Sequence, residues 1–305
     1  MMTRRGLLLD GGMGRELERI GAPFRQPEWS ALALMEGPDF VTKAHASYIE
    51  AGADVITTNS YAVVPFHIGE QRFAEQGRAL AALAGRLARE AADAAEGRKV
   101  LVAGSLPPVF GSYQPDLFNP KLAGDYLGVL VGGMAPFVDV WLAETQSSLA
   151  EAKAAHAAIA GTGRPLWISF TLRDDVSPEE MGQPQLRSGE TVTAAAELAA
   201  SLGAEALLFN CSMPEVMAAA IEAAATTFAR LGVDPRIGVY ANAFPSQQGD
   251  EDANAVVTEI RDDLNPVAYG QWALQWAKAG ASIIGGCCGI GTEHIHALDK
   301  HYRCW

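Results

Sequence analysis

The sequence predicts an α/β protein folded as one (β/α)8 TIM barrel over residues 1–305. Three observations carry this. Short apolar runs alternate with Ala-rich helical segments along the whole chain, with no change of composition that would mark a second domain. Eight such runs can be counted, the number that closes a barrel. Each run is apolar throughout rather than alternating, as a parallel sheet covered on both faces requires. An open doubly wound sheet would show the same alternation; the count of eight favours closure.

The elements run in order from the N-terminus. Leu7-Leu8-Leu9 ends at Asp10-Gly11-Gly12, and a helix comes next over 14–20. A helix over 39–51 leads into the run 53–58 and then Asn59-Ser60-Tyr61. The Ala/Leu/Arg-rich helix 70–96 precedes the run 100–103, which ends at Gly104-Ser105. Helix 122–134 precedes 138–142, ending at Ala143-Glu144-Thr145, and helix 149–160 precedes 166–170. Helix 192–202 precedes 206–209, ending at Asn210-Cys211-Ser212. Helix 215–231 precedes 237–240, ending at Ala241-Asn242. Helix 266–279 precedes Ile283-Ile284 and the loop Gly285-Gly286-Cys287-Cys288-Gly289. A last helix over 292–298 takes Thr292 as its cap. Three longer irregular segments, 107–121, 173–189 and 244–252, all come after strands. In a barrel they overhang the C-terminal face, where active sites sit.

Composition narrows the function. Hydrophobic residues make up 49% of the chain, enough for a large core, and no apolar run has membrane-spanning length. Arg4-Arg5 precede only three leucines before Asp10, too short for a signal peptide, so a cytoplasmic protein is expected. The net charge of −13 argues against a nucleic-acid surface, which needs clustered Lys and Arg. Four cysteines in a cytosolic chain of this length point to metal binding or catalysis rather than to a disulfide scaffold.

Polar residues just after the strands converge on one rim in a barrel: Asp10, Asn59, Ser60, Ser105, Glu144, Thr171, Asn210, Cys211, Asn242, Cys287 and Cys288. Cys211 ends the sixth strand and Cys287-Cys288 the eighth. Glycines around the pair permit a turn tight enough to aim both sulfurs at one point, which a flat strand forbids. Three converging thiolates suit Zn2+ with an open fourth position. The same residues also suit a buried apolar Cys211 and an inert or vicinally bonded Cys287-Cys288 pair. Asp10 equally suits a carboxylate capping the Gly11-Gly12 turn. His294 and His296 lie two apart, on different helix faces, and do not share a metal. Cys304 reads as a tail thiol.

The donor set selects a chemistry. Zinc on three thiolates is a weak Lewis acid towards water, so hydrolysis is disfavoured. A thiol substrate entering the fourth position would be deprotonated and remain nucleophilic. Attack on a cationic donor neutralises charge, which a low-dielectric pocket favours. Sulfur alkylation is the class selected. Tyr61, Tyr113, Trp141, Tyr240 and Phe244 are candidate aromatic faces for such a cation.

In its motifs the chain resembles the zinc-dependent homocysteine S-methyltransferase family. The matching pieces are Asp10-Gly11-Gly12-Met13-Gly14-Arg15-Glu16-Leu17, Thr57-Thr58-Asn59-Ser60-Tyr61, Gly104-Ser105, Glu144-Thr145, Leu186-Arg187-Ser188-Gly189-Glu190, Asn210-Cys211-Ser212 and Ile284-Gly285-Gly286-Cys287-Cys288-Gly289. The resemblance implies a (β/α)8 barrel with zinc on Cys211, Cys287 and Cys288. It implies that Asp10 and Glu144 hold the amino group of homocysteine, with backbone near Gly11 and Ser212 facing its carboxylate. Asn59 and Ser105 are further candidate substrate contacts. Two loops depart from the family pattern, Asn242-Ala243-Phe244-Pro245-Ser246-Gln247 and Leu106-Pro107-Pro108-Val109-Phe110-Gly111-Ser112-Tyr113. Both overhang the rim, which leaves the donor open. No folate or cobalamin domain is legible in the chain, so a diffusing donor is expected: S-methylmethionine, S-adenosylmethionine or a betaine. Partners are then homocysteine and that donor, with no nucleic acid and no membrane, in a monomer or small homo-oligomer. The rival readings are another thiol or selenol acceptor, such as selenocysteine, and a non-catalytic zinc- or thiol-binding protein.

Overall fold

A computed structural model describes residues 5–176, 178–246, 261–303 and 305. The eight apolar runs form eight parallel strands of one sheet: β1 (Leu7–Leu8), β2 (Val55–Thr57), β3 (Leu101–Leu106), β4 (Val140–Gln146), β5 (Leu166–Phe170), β6 (Ala206–Asn210), β7 (Arg236–Tyr240) and β8 (Ile283–Ile284). Their order is β1-β8-β7-β6-β5-β4-β3-β2, so β1 and β2 are the two edges. A parallel bridge between Leu9 and Val55 joins these edges. The amide of Asp10 donates to Val55 O (3.0 Å) and that of Asp54 to Leu8 O (2.7 Å). The sheet thus comes round on itself.

The helices are α1 (Met13–Arg19), α2 (Ala31–Glu36), α3 (Pro38–Ala51), α4 (Pro65–Ile68), α5 (Glu70–Asp93), α6 (Pro120–Met134), α7 (Leu149–Ala158), α8 (Pro178–Met181), α9 (Val192–Ser201), α10 (Met217–Leu231), α11 (Pro266–Ala279) and α12 (Thr292–Ala297). Their starts obey ordinary chemistry. Pro occupies an early position in α3, α4, α6 and α11, and side chains of Asn119, Ser148, Thr191 and Asn265 cap α6, α7, α9 and α11. Short α2 and α4 lie in stretches not expected to be helical. At α12 the expected cap shifts by one residue: Gly291 is the cap and Thr292 the first helical residue. The Gly291 amide donates to His294 Nδ1 (3.2 Å), and His294 Nε2 lies 2.9 Å from Leu264 O, so this histidine is a structural brace.

Two apolar layers result. Leu9, Val55, Val140, Leu142, Trp167, Leu208 and Ile283 pack within the ring of strands. A larger cluster fills the space between sheet and helices, including Tyr48, Ile56, Trp141, Phe170, Phe209, Tyr269 and Trp276. Buried on both sides, the strands are largely apolar, with polar residues confined mostly to their C-terminal ends. No helix among the described residues is long and apolar enough to cross a membrane.

The long segments lie where expected, after β3, β5 and β7. Segment 107–121 contains a short 3-10 turn at Pro115–Leu117, and 173–189 contains α8. Of 244–252 only residues 244–246 are among the described residues, and Cys304 lies outside them.

Candidate metal and substrate site

Residues just beyond the C-terminal ends of the strands build the site. After β6 the backbone turns sharply at Cys211, whose φ is 48°. Its carbonyl accepts from the Thr171 hydroxyl (3.3 Å). After β8 the chain is pinned by neighbouring strand ends: Gly285 N to Val239 O (3.0 Å), Gly286 N to Asp10 O (3.0 Å) and Cys287 N to Ala241 O (2.9 Å). The glycines are required for packing. A Cβ at Gly286 would collide with Ile290, and one at Gly12 would lie 2.7 Å from Cys287 O. Gly289 closes the turn at φ 81°.

These constraints bring the sulfurs of Cys211, Cys287 and Cys288 within 4.8 Å of one another. Once reduced, three converging cysteine sulfurs make a donor set whose chemistry suits a thiolate-binding metal ion with an open fourth position. Cys211 and Cys287 are joined here as a disulfide, and Cys288 is free. The bond therefore bridges β6 and β8 rather than the vicinal pair, and ligation by all three sulfurs requires it reduced. Burial pushes the Cys288 thiol up to about 11, against the pull of the Arg15 charge.

Two carboxylates share the cavity with these sulfurs. Asp10 accepts from the Thr57 amide (2.7 Å) and hydroxyl (3.1 Å). Glu144 accepts from the Ser105 hydroxyl and lies 3.4 Å from the Tyr240 hydroxyl. Neither has an ion-pair partner among the described residues. Burial pushes Asp10 up to about 7, with the charge of Glu144 adding and the Thr57 hydrogen bonds opposing. Burial likewise raises Glu144 to about 7, against the Ser105 and Tyr240 hydrogen bonds. A cation placed between them would relieve both.

Of the other expected contacts, Gly11 and Asn59 line the cavity. The Asn59 amide is already donating to Ser30 O (3.0 Å). Ser105 and Ser212 are fully buried and do not line it. Ser105 acts on Glu144. Ser212 ties the loops after β5 and β6 together, its hydroxyl accepting from the Leu172 amide (2.8 Å). Tyr61, Tyr113, Tyr240 and Phe244 line the cavity, whereas Trp141 belongs to the core.

Backbone strain marks the same place. The four non-glycine residues with positive φ among the described residues are Trp29 (51°), Tyr113 (64°), Thr145 (57°) and Cys211 (48°), and all four line the cavity. Thr145 sits where β4 slips register against β5 between Ala143 and Gln146. Asn210 locks it: its Oδ1 accepts from the Thr145 amide (3.0 Å) and its Nδ2 donates to the Thr145 hydroxyl (2.8 Å). This bulge is adjacent to Glu144. Trp29, Thr145 and the locking role of Asn210 escape a reading of the sequence, because a positive φ at a non-glycine residue leaves no composition signal.

Comparison with known proteins agrees with this geometry. A model of the family described as homocysteine S-methyltransferase matches residues 7–302. The chain belongs to the homocysteine S-methyltransferase family. A homocysteine S-methyltransferase of Escherichia coli (strain K12) is 30% identical, over 96% of this chain and 94% of that protein. A selenocysteine methyltransferase of Astragalus bisulcatus is 27% identical, over 97% and 92%. The crystal structure of the homocysteine methyltransferase MmuM from Escherichia coli in a metallated form superimposes with a TM-score of 0.75 at 27% identity, covering 97% of this chain and 96% of that one. Members of this family are methyltransferases, and the fold and the cluster of three cysteines are in keeping with that membership.

Proposed function

We propose that this protein transfers a methyl group from a small cationic donor to the sulfur of homocysteine, giving methionine, with zinc held by Cys211, Cys287 and Cys288. The observation that carries the reading is the meeting, in one cavity, of three cysteine sulfurs with two buried carboxylates that have no ion-pair partner among the described residues. Zinc held there supplies a low-pKa environment for a substrate thiol, favouring its thiolate. Asp10 and Glu144 orient the amino acid by accepting hydrogen bonds from its ammonium group. Ser105 and Thr57 hold those carboxylates in place. Backbone at Gly11 faces the carboxylate end of the substrate.

Homocysteine then fills the floor of the cavity, and the donor enters from the solvent side beneath the long loops. Trp29, Tyr113 and Phe244 supply faces that attract a sulfonium or quaternary ammonium group. The substrate sulfur forms the new S–CH3 bond. The donor's C–S or C–N bond breaks with its electron pair going to the departing neutral sulfide or amine, and the thiol proton has left to solvent. Opposite charges vanish together, so a dry pocket favours the transition state over the reactants. S-methylmethionine, S-adenosylmethionine and betaine all fit this requirement.

The test is to reduce the protein, load it with zinc, add homocysteine with each donor separately and measure methionine. Formation of methionine from one donor supports the reading; none from any donor refutes it. Similarity to a selenocysteine methyltransferase favours a second acceptor, the selenol of selenocysteine. Competition between the two acceptors in that assay ranks them.

A further inference from the structure

Above the cavity, a buried ion pair joins loops that are far apart in sequence. Asp174 and Arg187 both belong to the segment after β5, and their side chains are 0% and 7% exposed. Arg187 Nη2 lies 2.9 Å from Asp174 Oδ1. The same Asp174 oxygen accepts from the Ser246 hydroxyl (3.1 Å) in the segment after β7, and its other oxygen accepts from the Met213 amide (3.1 Å) after β6. On its other side the Arg187 guanidinium lies over the Tyr113 ring, 5.1 Å from the centroid, in the segment after β3. Tyr113 has φ 64° and lines the cavity together with Cys288. Four loops therefore meet on one buried pair.

A buried ion pair is weak material for stability, because desolvation offsets most of its attraction; specificity of arrangement is the better-attested use. Here the arrangement fixed is that of an aromatic residue with a left-handed backbone that lines the cavity. Arginine suits the task because its planar fork can stack on a ring while its N–H groups pair with a carboxylate, whereas lysine offers only a point charge on a flexible stem. We propose that the Arg187–Asp174 pair is a positioning clasp that sets the donor side of the pocket by holding Tyr113 against the loops after β5, β6 and β7. This rests on the methyl-transfer reading for its substrate, but the clasp itself does not.

Both segments that depart from the family pattern, after β3 and after β7, are gripped by this pair. The clasp is thus where a change of donor preference would be built without altering the sulfurs or the carboxylates beneath. Arg187 and Asp174 act through Tyr113 and are positioning residues.

The experiment compares the reduced, zinc-loaded full chain with Arg187→Lys and Asp174→Asn variants by two readouts. Hydrogen–deuterium exchange of the backbone over residues 108–114 reports the clasp with no reaction required. Steady-state kinetics separate the donor from homocysteine. In Arg187→Lys the exchange quickens at least about fivefold and kcat/KM for the donor drops roughly tenfold, while KM for homocysteine stays within about twofold. Asp174→Asn shows the same pattern more strongly. Unchanged exchange over 108–114 in both variants overturns the clasp. Faster exchange with equal losses for donor and homocysteine overturns its control of the donor. A wild-type protein that forms no methionine from any donor refutes the function reading and with it the donor role, and the exchange data still decide whether the clasp exists.

Discussion

At the N-terminal end of the barrel, Asp54 accepts from the Leu8 amide (2.9 Å) and lies 3.6 Å from Arg98, 3.7 Å from Arg5 and in contact with Arg303. At the C-terminal end, Asp10 and Glu144 are as deeply buried but have no ion-pair partner among the described residues: Asp10 accepts from the Thr57 amide and hydroxyl, and Glu144 meets the Ser105 and Tyr240 hydroxyls. Trp305 also packs at the lower end. Trp305 donates to Leu7 O (3.3 Å) and accepts from the Gly6 amide (3.2 Å). Asp139 repeats the lower-end device, accepting from the Val102 amide (2.9 Å) while paired with Arg89 (2.9 Å). Asp54 and Asp139 have their charge answered inside the fold, so that removing either partner would leave the other uncompensated. The proposed function assigns Asp10 and Glu144, which have no ion-pair partner among the described residues, to a ligand that brings the missing charge.

Substitutions that separate the two ends test this contrast. The largest effect is expected at the sulfurs. Cys211→Ser or Cys288→Ser should lower methionine formation on the order of a thousandfold or more and strip bound zinc, read by metal analysis. Full zinc content in both variants would remove the proposed site. Next, Asp10→Asn and Glu144→Gln should raise KM for homocysteine roughly 10- to 100-fold, and should not affect a mercaptan that has no amino group. Asp54→Asn should do the reverse: leave KM alone and destabilise the fold by about 2–3 kcal/mol, since its arginines lose their partner. A KM effect from Asp54→Asn, or a large stability loss from Asp10→Asn, would break the comparison.

The pH dependence has a definite sign. Asp10 and Glu144 have folded pKa values near 7, above their unfolded values of 3.8 and 4.5. Between those limits the folded chain holds more protons than the unfolded one, so stability of the ligand-free protein falls as pH rises from about 4 to about 7. Asp10→Asn and Glu144→Gln should flatten that fall in thermal melts. Part of the slope should persist, because burial also raises Glu151 to about 7 at the cap of α7. Homocysteine should stabilise the protein most at the alkaline end, where both carboxylates are charged. The smallest effect is expected from Ser105→Ala, which removes one hydrogen bond to Glu144 and should raise KM for homocysteine about threefold to fivefold.

Much of the fold could be read from the sequence because burial on both sheet faces leaves a continuous apolar signal, as in Leu166–Phe170 and Ala206–Asn210. That apolar signal ends where polar residues continue a strand. β4 runs on through Glu144 and Thr145 to Gln146, since Asn210 and the neighbouring strand satisfy these polar groups inside the protein. Short α2 and α4 leave no helical signal, because six and four residues carry too little periodicity. Of the site, Cys211, Cys287 and Cys288 were readable as strand-end residues, and their convergence needed only the barrel. The role of Ser212 was not, since a hydroxyl turned into a loop–loop hydrogen bond looks, in sequence, like one turned towards a substrate. Nor was the Arg187–Asp174 contact with Tyr113, which depends on three-dimensional loop paths.

The most direct measurement is zinc X-ray absorption on the reduced, zinc-loaded protein with and without homocysteine. Three sulfur neighbours at about 2.3 Å are expected without the substrate and four with it. A sulfur count that does not change on adding homocysteine would contradict the proposed coordination.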